Sequence, residues 1–371
     1  MNEDAVLPIP KSPRVWLITS GDTPIGTSLI RQILDHGDYV VTGIDQAAFE
    51  KGSYKSKGFK EVLAEIAQSP ARKDWQGRLK VVALNLDSQA QCQAAVATAV
   101  HAFGKLDILL CCTSQTVIGT VEELSAHPAL TRQQFDVNFF GPIHMIRAAI
   151  PEMRHKMSGH IIVLTGITGH LGTPGLSIHC SSQWALEGYC DSIAYEIAPF
   201  NIRLTIVQSS IEVGILTNKI VSAPAMPQYL PESGHNAPLF RNIMDGLLNR
   251  LPKVRATAQD LAAADERDTS CVSAQRQDNC NPLTGPETVS LYPPMSCAHS
   301  EKLVAETVHA ITAVGGHENP PARHIVGIEG VASVKEKLKT VSEELEEFVG
   351  SSISVDCDRL GDKRPRSSQR E

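Results

Sequence analysis

Two short segments of this chain carry residues that could do chemistry. In LSIHCSSQWALEG, Leu176 to Gly188, an imidazole at His179 is followed by a carboxamide at Gln183. An imidazole titrates near 6.5 unaided, so His179 could exchange protons without a neighbouring cation, and a lysine beside it would disfavour its charged form. An amide such as Gln183 can still hydrogen-bond a hydroxyl. The second segment is the turn Thr19, Ser20, Gly21, Asp22, Thr23, Pro24, Ile25, Gly26. Glycines permit a tight turn, and the N–H groups of a helix that starts there can hold an anion. Thr23 is suited to cap that helix and Pro24 to occupy its first position, although proline removes one N–H from the anion-binding turn. Asp22 adds a carboxylate close to where a phosphate would lie. Like charges about 4 Å apart repel by roughly 4 kcal/mol at an effective dielectric near 20. A carboxylate can also satisfy the helix end in place of a ligand.

No metal chemistry is expected. His170, His179 and Cys180 lack ligand spacing, and Cys271, Cys280, Cys297 and His299 show no finger-like pattern.

The elements that must position these groups follow from hydrophobic patterning. From Arg14 the chain alternates short apolar runs with helical periods, the mark of βαβ units feeding a parallel sheet. Seven strands are predicted: Val15 to Ile18, Tyr39 to Val41, Val81 to Leu84, Ile108 to Leu110, Ile161 to Leu164, Leu204 to Val207 and His324 to Val326. Their continuous apolarity suits strands covered on both faces. QAQCQAAVATAVHAF, Gln89 to Phe103, predicts a helix that ends at Gly104. The fold class is therefore α/β, a doubly wound, seven-stranded parallel sheet in one Rossmann-like domain. Residues 1–13 are read as an N-terminal extension, 14–252 as the main part of the domain, 253–300 as a flexible insertion poor in large apolar residues, 301–349 as the completion of the domain, and 350–371 as a flexible tail.

The order of VWLIT, FGKLDILL, VEELS, QFDVNFFGP, GTPGLSIHCSSQWALEG and NIRLTIVQ resembles the short-chain dehydrogenase/reductase family. The likeness runs from about Arg14 to Ile211 and resumes near Lys302 to Val349. It implies an NAD(P)-binding fold and, in the family, reversible hydride transfer between NAD(P) and an alcohol or carbonyl. The family's catalytic Asn, Ser, Tyr and Lys fall on Asn138, Gly166, His179 and Gln183, of which only Asn138 matches. Thr165 and Thr168 flank Gly166, and strand alternation turns Thr165 to the other face, so no hydroxyl is expected at the Gly166 position. The family's phosphate turn, Thr-Gly-x-x-x-Gly-x-Gly, falls on Thr19 to Gly26, with Ser20 and Pro24 in place of two glycines and Gly21 displaced by one position.

The resemblance further implies cofactor contacts at Asp45, whose carboxylate after the second strand favours NAD over NADP, at Asn85 after the third strand, and at Cys112 within Cys111 to Ser114 after the fourth. Ser209 and Ser210 stand where the family has Pro-Gly. The alterations lead to the expectation of weak or absent dinucleotide binding. The chain is accordingly read as a binding or regulatory module without the family's hydride transfer. Its alternative is an NAD(P)-dependent oxidoreductase, or a redox-neutral isomerase or dehydratase, using His179 as acid/base. The family implies a homo-oligomer, and Leu186, Tyr189, Ile193 and Ile197 supply an apolar stripe that could serve it or the subunit's own core. A protein partner is a further expectation.

Composition bounds the remaining classes. A net charge of −7 over 371 residues argues against nucleic-acid binding, and no apolar run is long enough to span a bilayer. The first residues lack the order of a secretory signal, and nine cysteines without a C-x-x-C pair fit reduced thiols. A cytoplasmic location is expected, with a nuclear one left open by Lys363, Arg364 and Arg366.

Overall fold

The computed structural model describes residues 12–52, 54, 57–69, 72–211, 213, 219–223, 226 and 297–351. Its elements run β1 Val15–Ile18, α1 Pro24–Asp35, β2 Tyr39–Ile44, α2 Gln46–Lys51, α3 Lys57–Gln68, α4 Trp75–Arg78, β3 Leu79–Ala83, α5 Gln89–Phe103, β4 Ile108–Cys111 and β5 Gln115–Ile118. They continue with α6 Val121–Ser125, α7 Pro128–Phe135, a π turn Asp136–Phe140, α8 Gly141–Lys156, β6 Gly159–Gly166, α9 Ser177–Ile197, β7 Ile202–Ser209, β8 Lys219–Ser222, α10 Cys297–Gly316, β9 Arg323–Ile325 and α11 Ile328–Glu347.

Seven strands form one sheet in the order β3-β2-β1-β4-β6-β7-β9. Every pairing is parallel, with Leu17 opposite Val41 on one side and Leu109 on the other. Strand order reverses between β1 and β4, the place where open parallel sheets bind ligands at their carboxyl ends. Two buried clusters cover the two faces. One packs residues of α5, α8 and α9, including Cys92, Met145 and Leu186, onto Leu17, Leu109 and Ile161. The other packs α1, α3 and α10, including Leu29, Phe59 and Ile311, onto Trp16, Ile108 and Val207. All seven predicted strands are present in the sheet, most of them longer than their apolar runs. Gly104 takes a left-handed φ of 78° as the cap of α5, a conformation that favours glycine.

Three expectations change. The stripe of Leu186, Ile193 and Ile197 on α9 is buried in the core, with Tyr189 packed against it, because the helix lies over β6 and β7. That stripe therefore serves the subunit's own core, while Trp184 and Tyr195 of the same helix are exposed. The assigned insertion 253–300 lies outside the described residues except for its last four, which are helical, so α10 begins before the expected restart. A second, two-stranded parallel sheet of β5 and β8 was not expected at all. No described helix is long and apolar enough to cross a membrane.

Candidate functional site

A cleft opens at the carboxyl end of the sheet, lined by residues that follow β4, β6 and β7 and by α9. Cys112, Gly166, His179 and Gln183 all line it, together with Thr168 and Ser209. Four sequence-predicted positions, distant in the chain, thus meet at one place. Asn138 stands behind them in the π turn, a geometry that places its amide against β5: Gln115 N donates to its Oδ1 at 2.7 Å, and its Nδ2 donates to Gln115 O at 2.9 Å. Its Nδ2 also lies 3.4 Å from His179 Nδ1.

His179 is 5% exposed, with Nδ1 turned toward Asn138 and, at 3.3 Å, Gln115 O. Burial lowers its pKa to about 4, with the Gln115 carbonyl opposing. The imidazole is therefore neutral at physiological pH. Gln183, one turn on, is 4% exposed and its Oε1 has no hydrogen-bond partner among the described residues. An orphaned buried acceptor in a cleft calls for a donor from a ligand.

The expectation that no hydroxyl is available near Gly166 needs correcting. A Cβ on Gly166 would stand 3.1 Å from Thr168 Oγ1, and that hydroxyl is buried without a hydrogen-bond partner among the described residues. The 3-10 turn Ile167–Gly169 swings Thr168 back toward the end of the strand, and Trp184 Nε1 donates to Thr168 O at 2.9 Å to hold it there. Strand alternation cannot reveal this, because alternation ends where the turn begins. Thr165 does face the other way, donating to Glu187 Oε1 at 2.8 Å. Glu187 is itself buried and accepts from Gln208 Nε2 at 2.8 Å, so it ties α9 to the ends of β6 and β7 beneath the cleft.

The turn after β1 builds as its residues require. Thr23 Oγ1 accepts from Gly26 N at 3.1 Å and donates to Ser20 O at 3.0 Å, capping α1 with Pro24 in its first turn. A Cβ on Gly21 would lie 1.9 Å from Thr42 Oγ1, and one on Gly26 would lie 2.1 Å from Ser20 O. These two glycines let the turn close on β2 and on itself. Asp22 is fully buried, and Ile25 belongs to the core. Thr19 Oγ1 accepts from Cys112 N at 3.0 Å and Thr113 N at 3.2 Å, joining the turn to the loop after β4.

Asp45 and Asn85 lie at the same end of the sheet, after β2 and β3, and both are exposed. Asp45 Oδ1 accepts from Ala48 N at 3.2 Å as a cap of α2, and Asn85 Oδ1 accepts from Asp87 N at 3.0 Å. Neither lines the cleft that holds His179. No group of His, Cys, Asp and Glu among the described residues could hold a metal ion. Cys271 and Cys280 lie outside the described residues.

Residues 14–219 match the family model described as short chain dehydrogenase. Among curated proteins, the chain is 25% identical over 214 residues to Oxidoreductase BOA17 of Botryotinia fuckeliana (strain B05.10), covering 58% of this chain and 70% of that one. It is 27% identical over 157 residues to Retinol dehydrogenase 8 of Homo sapiens, covering 42% of this chain and 48% of that one. It is 31% identical over 143 residues to 17-beta-hydroxysteroid dehydrogenase type 1 of Mus musculus, covering 38% of this chain and 40% of that one. The chain thus spans less than half the length of the last two relatives. A solved short-chain dehydrogenase from Streptomyces avermitilis superposes with a TM-score of 0.64 at 20% identity, covering 92% of this chain and 98% of that one, a likeness of fold. The relatives are named as oxidoreductases or dehydrogenases, and with more than half its length matching the family model, the chain belongs to the short chain dehydrogenase family.

Proposed function

We propose that this chain is an NAD(P)-dependent oxidoreductase acting on an alcohol or carbonyl compound through a rebuilt set of polar groups: Thr168, His179 and Gln183, with Asn138 behind them. The observation that carries the reading is the pair of buried atoms without partners, Thr168 Oγ1 and Gln183 Oε1, lining one cleft with His179. Leaving two such groups unsatisfied costs about 1–3 kcal/mol each, a cost that a ligand offering hydrogen bonds removes. Family membership and the names of the relatives support the same reading.

The residues present fit a dinucleotide at this end of the sheet. Gln183 Oε1 is the free acceptor for a ribose hydroxyl, and the turn Thr19 to Gly26 with Cys112 forms the wall where β1 and β4 diverge. Asp45 and Asn85 extend the same edge, and the Asp45 carboxylate favours NAD. Bound there, the dinucleotide supplies or accepts a hydride. The chain's own residues orient the substrate: Thr168 donates a hydrogen bond to the substrate oxygen, His179 stands beside it with its ring fixed by Asn138, and the proton that accompanies the hydride is exchanged with solvent at the open cleft. Pro24 and Asp22 weaken the grip on phosphate without closing the cleft, so affinity is modest.

One specific observation favours a non-catalytic module. With a pKa near 4, only roughly one His179 in a thousand is imidazolium at pH 7, a poor proton source. The same value weighs against a redox-neutral reaction in which His179 shuttles protons. A homo-oligomer, as in the family, would have to use surfaces other than the buried stripe of α9.

Steady-state assays of the purified full chain with NADH and NADPH against a panel of ketones, and with the oxidised cofactors against the matching alcohols, test the reading. Turnover that is lost in Thr168→Val supports it. No turnover with any member, despite saturable dinucleotide binding, favours the binding module.

A further inference from the structure

The carbonyl oxygen of Gln115 is the most crowded acceptor near the cleft. Gln134 Nε2 donates to it at 2.6 Å and Asn138 Nδ2 at 2.9 Å, while His179 Nδ1 lies at 3.3 Å. Neither amide is free to turn over. Gln134 Oε1 accepts from Val117 N at 2.6 Å and Asn138 Oδ1 from Gln115 N at 2.7 Å, so flipping either would set an NH2 against a backbone N–H. A carbonyl oxygen has two lone pairs, and the two short bonds use both. Asn138 Nδ2 carries a second hydrogen, and His179 Nδ1 lies 3.4 Å away to accept it. Ser182 Oγ lies at the same distance and shares that hydrogen as a second acceptor, while its own proton goes to His179 O at 2.7 Å, so it offers the imidazole no competing donor. Across the ring, Nε2 has no hydrogen-bond partner among the described residues, and His179 lines the cleft.

We infer that the Gln134–Gln115–Asn138 clamp holds neutral His179 with its proton on Nε2, so that the cleft presents an N–H donor to the carbonyl oxygen of an uncharged ligand, with Gln134 as the positioning residue. This rests on the reading of the cleft as a substrate site. Gln134 is fully buried on α7 and touches no part of the cleft, so it acts only through the strand β5 that it grips at Val117 and Gln115. A neutral imidazole is a competent electrophile toward a carbonyl, and its low pKa keeps it neutral across the physiological range. The ligand class follows from the walls: no Asp, Glu, Lys or Arg is among the described residues that line the cleft, so nothing there compensates a ligand's charge.

Long-range proton–nitrogen correlations from the carbon-bound ring protons of 15N-histidine-labelled full chain test this, with the His179 signals identified by their loss in His179→Gln. The expected result near pH 7 is a protonated Nε2 and an unprotonated Nδ1, persisting to pH 5. Gln134→Met, which keeps length and removes the donor, should shift the population toward the Nδ1-protonated form by freeing a lone pair on Gln115. Cyclohexanone should then shift the Nε2 signal of the unmodified chain, and cyclohexanecarboxylate should not. A wild-type Nδ1–H form overturns the inference, and this spectrum suffices if Gln134→Met fails to fold. An unchanged tautomer in folded Gln134→Met removes the positioning role. No response to cyclohexanone, or a response to the carboxylate alone, removes the ligand class. None of these readouts needs a dinucleotide, so an Nε2–H form in a chain that binds no NAD(P)H would sustain the inference while ending the oxidoreductase reading.

Discussion

The hydroxyl of Thr168 lies 3.1 Å from the point where a Cβ on Gly166 would stand, buried and without a hydrogen-bond partner among the described residues. The polar group absent from the end of β6 is thus supplied two residues later by the first turn beyond it. Removing one donor to a developing oxyanion costs about 2.7–4 kcal/mol, or about 10²–10³ in turnover. Thr168→Val should lower kcat by that factor while leaving the dinucleotide dissociation constant within about two-fold. Adding Gly166→Ser to Thr168→Ala should recover part of the loss, since alanine empties the space that the threonine hydroxyl fills beside the new side chain. Equal kcat for the wild type and Thr168→Val would remove Thr168 from the reaction.

Two buried histidines set an acid limit on stability. Burial lowers the pKa of His179 to about 4 and that of His160 to about 3, against about 6.5 in the unfolded chain. The unfolded state therefore binds more protons between those values, and stability falls as pH drops below about 6.5. For His179 the full loss is about 3 kcal/mol once pH has passed below its folded pKa. Urea denaturation of the wild type and His179→Gln at pH 7 and pH 4.5 should show the difference in stability between them shift in favour of the variant at the lower pH. A difference that does not change with pH would contradict the buried neutral imidazole.

Glu187 anchors α9 from below. Its carboxylate accepts from Thr165 and Gln208 and lies 3.6 Å from Arg323 Nε, and a Cβ on Gly169 would meet its Oε1 at 2.1 Å. Glu187→Ala strands those donors and should cost about 3 kcal/mol by chemical denaturation. A loss below about 1 kcal/mol would show that the network rearranges freely.

Much of this arrangement was legible in the sequence, and the failures have local causes. The seven strands announce themselves because strands covered on both faces read as unbroken apolar runs, and Gly104 and Thr23 mark helix ends by their backbone and side-chain chemistry. β5 escaped notice although Thr116, Val117 and Ile118 are β-branched, because it pairs with β8, a strand that lies about a hundred residues away. The same gap hid the clamp, since Gln134 acts on β5 rather than on the cleft. The sequence places Thr168 beside Gly166 but carries no signal for the 3-10 turn that brings its hydroxyl back to that position. The stripe on α9 is open to two readings in the sequence, since apolar spacing reads alike whether a helix faces a neighbour or its own sheet, and here it faces the sheet.

The turn after β1 sets affinity for phosphate. Asp22→Ser with Pro24→Gly removes a carboxylate and restores an N–H at the start of α1, and should tighten dinucleotide binding by about ten-fold, within the roughly 4 kcal/mol that close like charges can contribute. Thr23 and its cap on Gly26 N are retained, so the helix should start unchanged. Calorimetry on a double variant of unaltered melting temperature checks this, and unchanged or weaker affinity would place the phosphates elsewhere.

The most direct test of the oxidoreductase reading is calorimetric titration of the unmodified full chain with NADH and with NADPH, beside Gln183→Leu. The expected result is saturable binding weaker than low micromolar, tighter for NADH, and weakened about ten-fold in Gln183→Leu by loss of one hydrogen bond to a buried acceptor. Absence of heat and of any thermal shift with both dinucleotides at millimolar concentration would contradict it and return the chain to the role of a binding module built on a dehydrogenase fold.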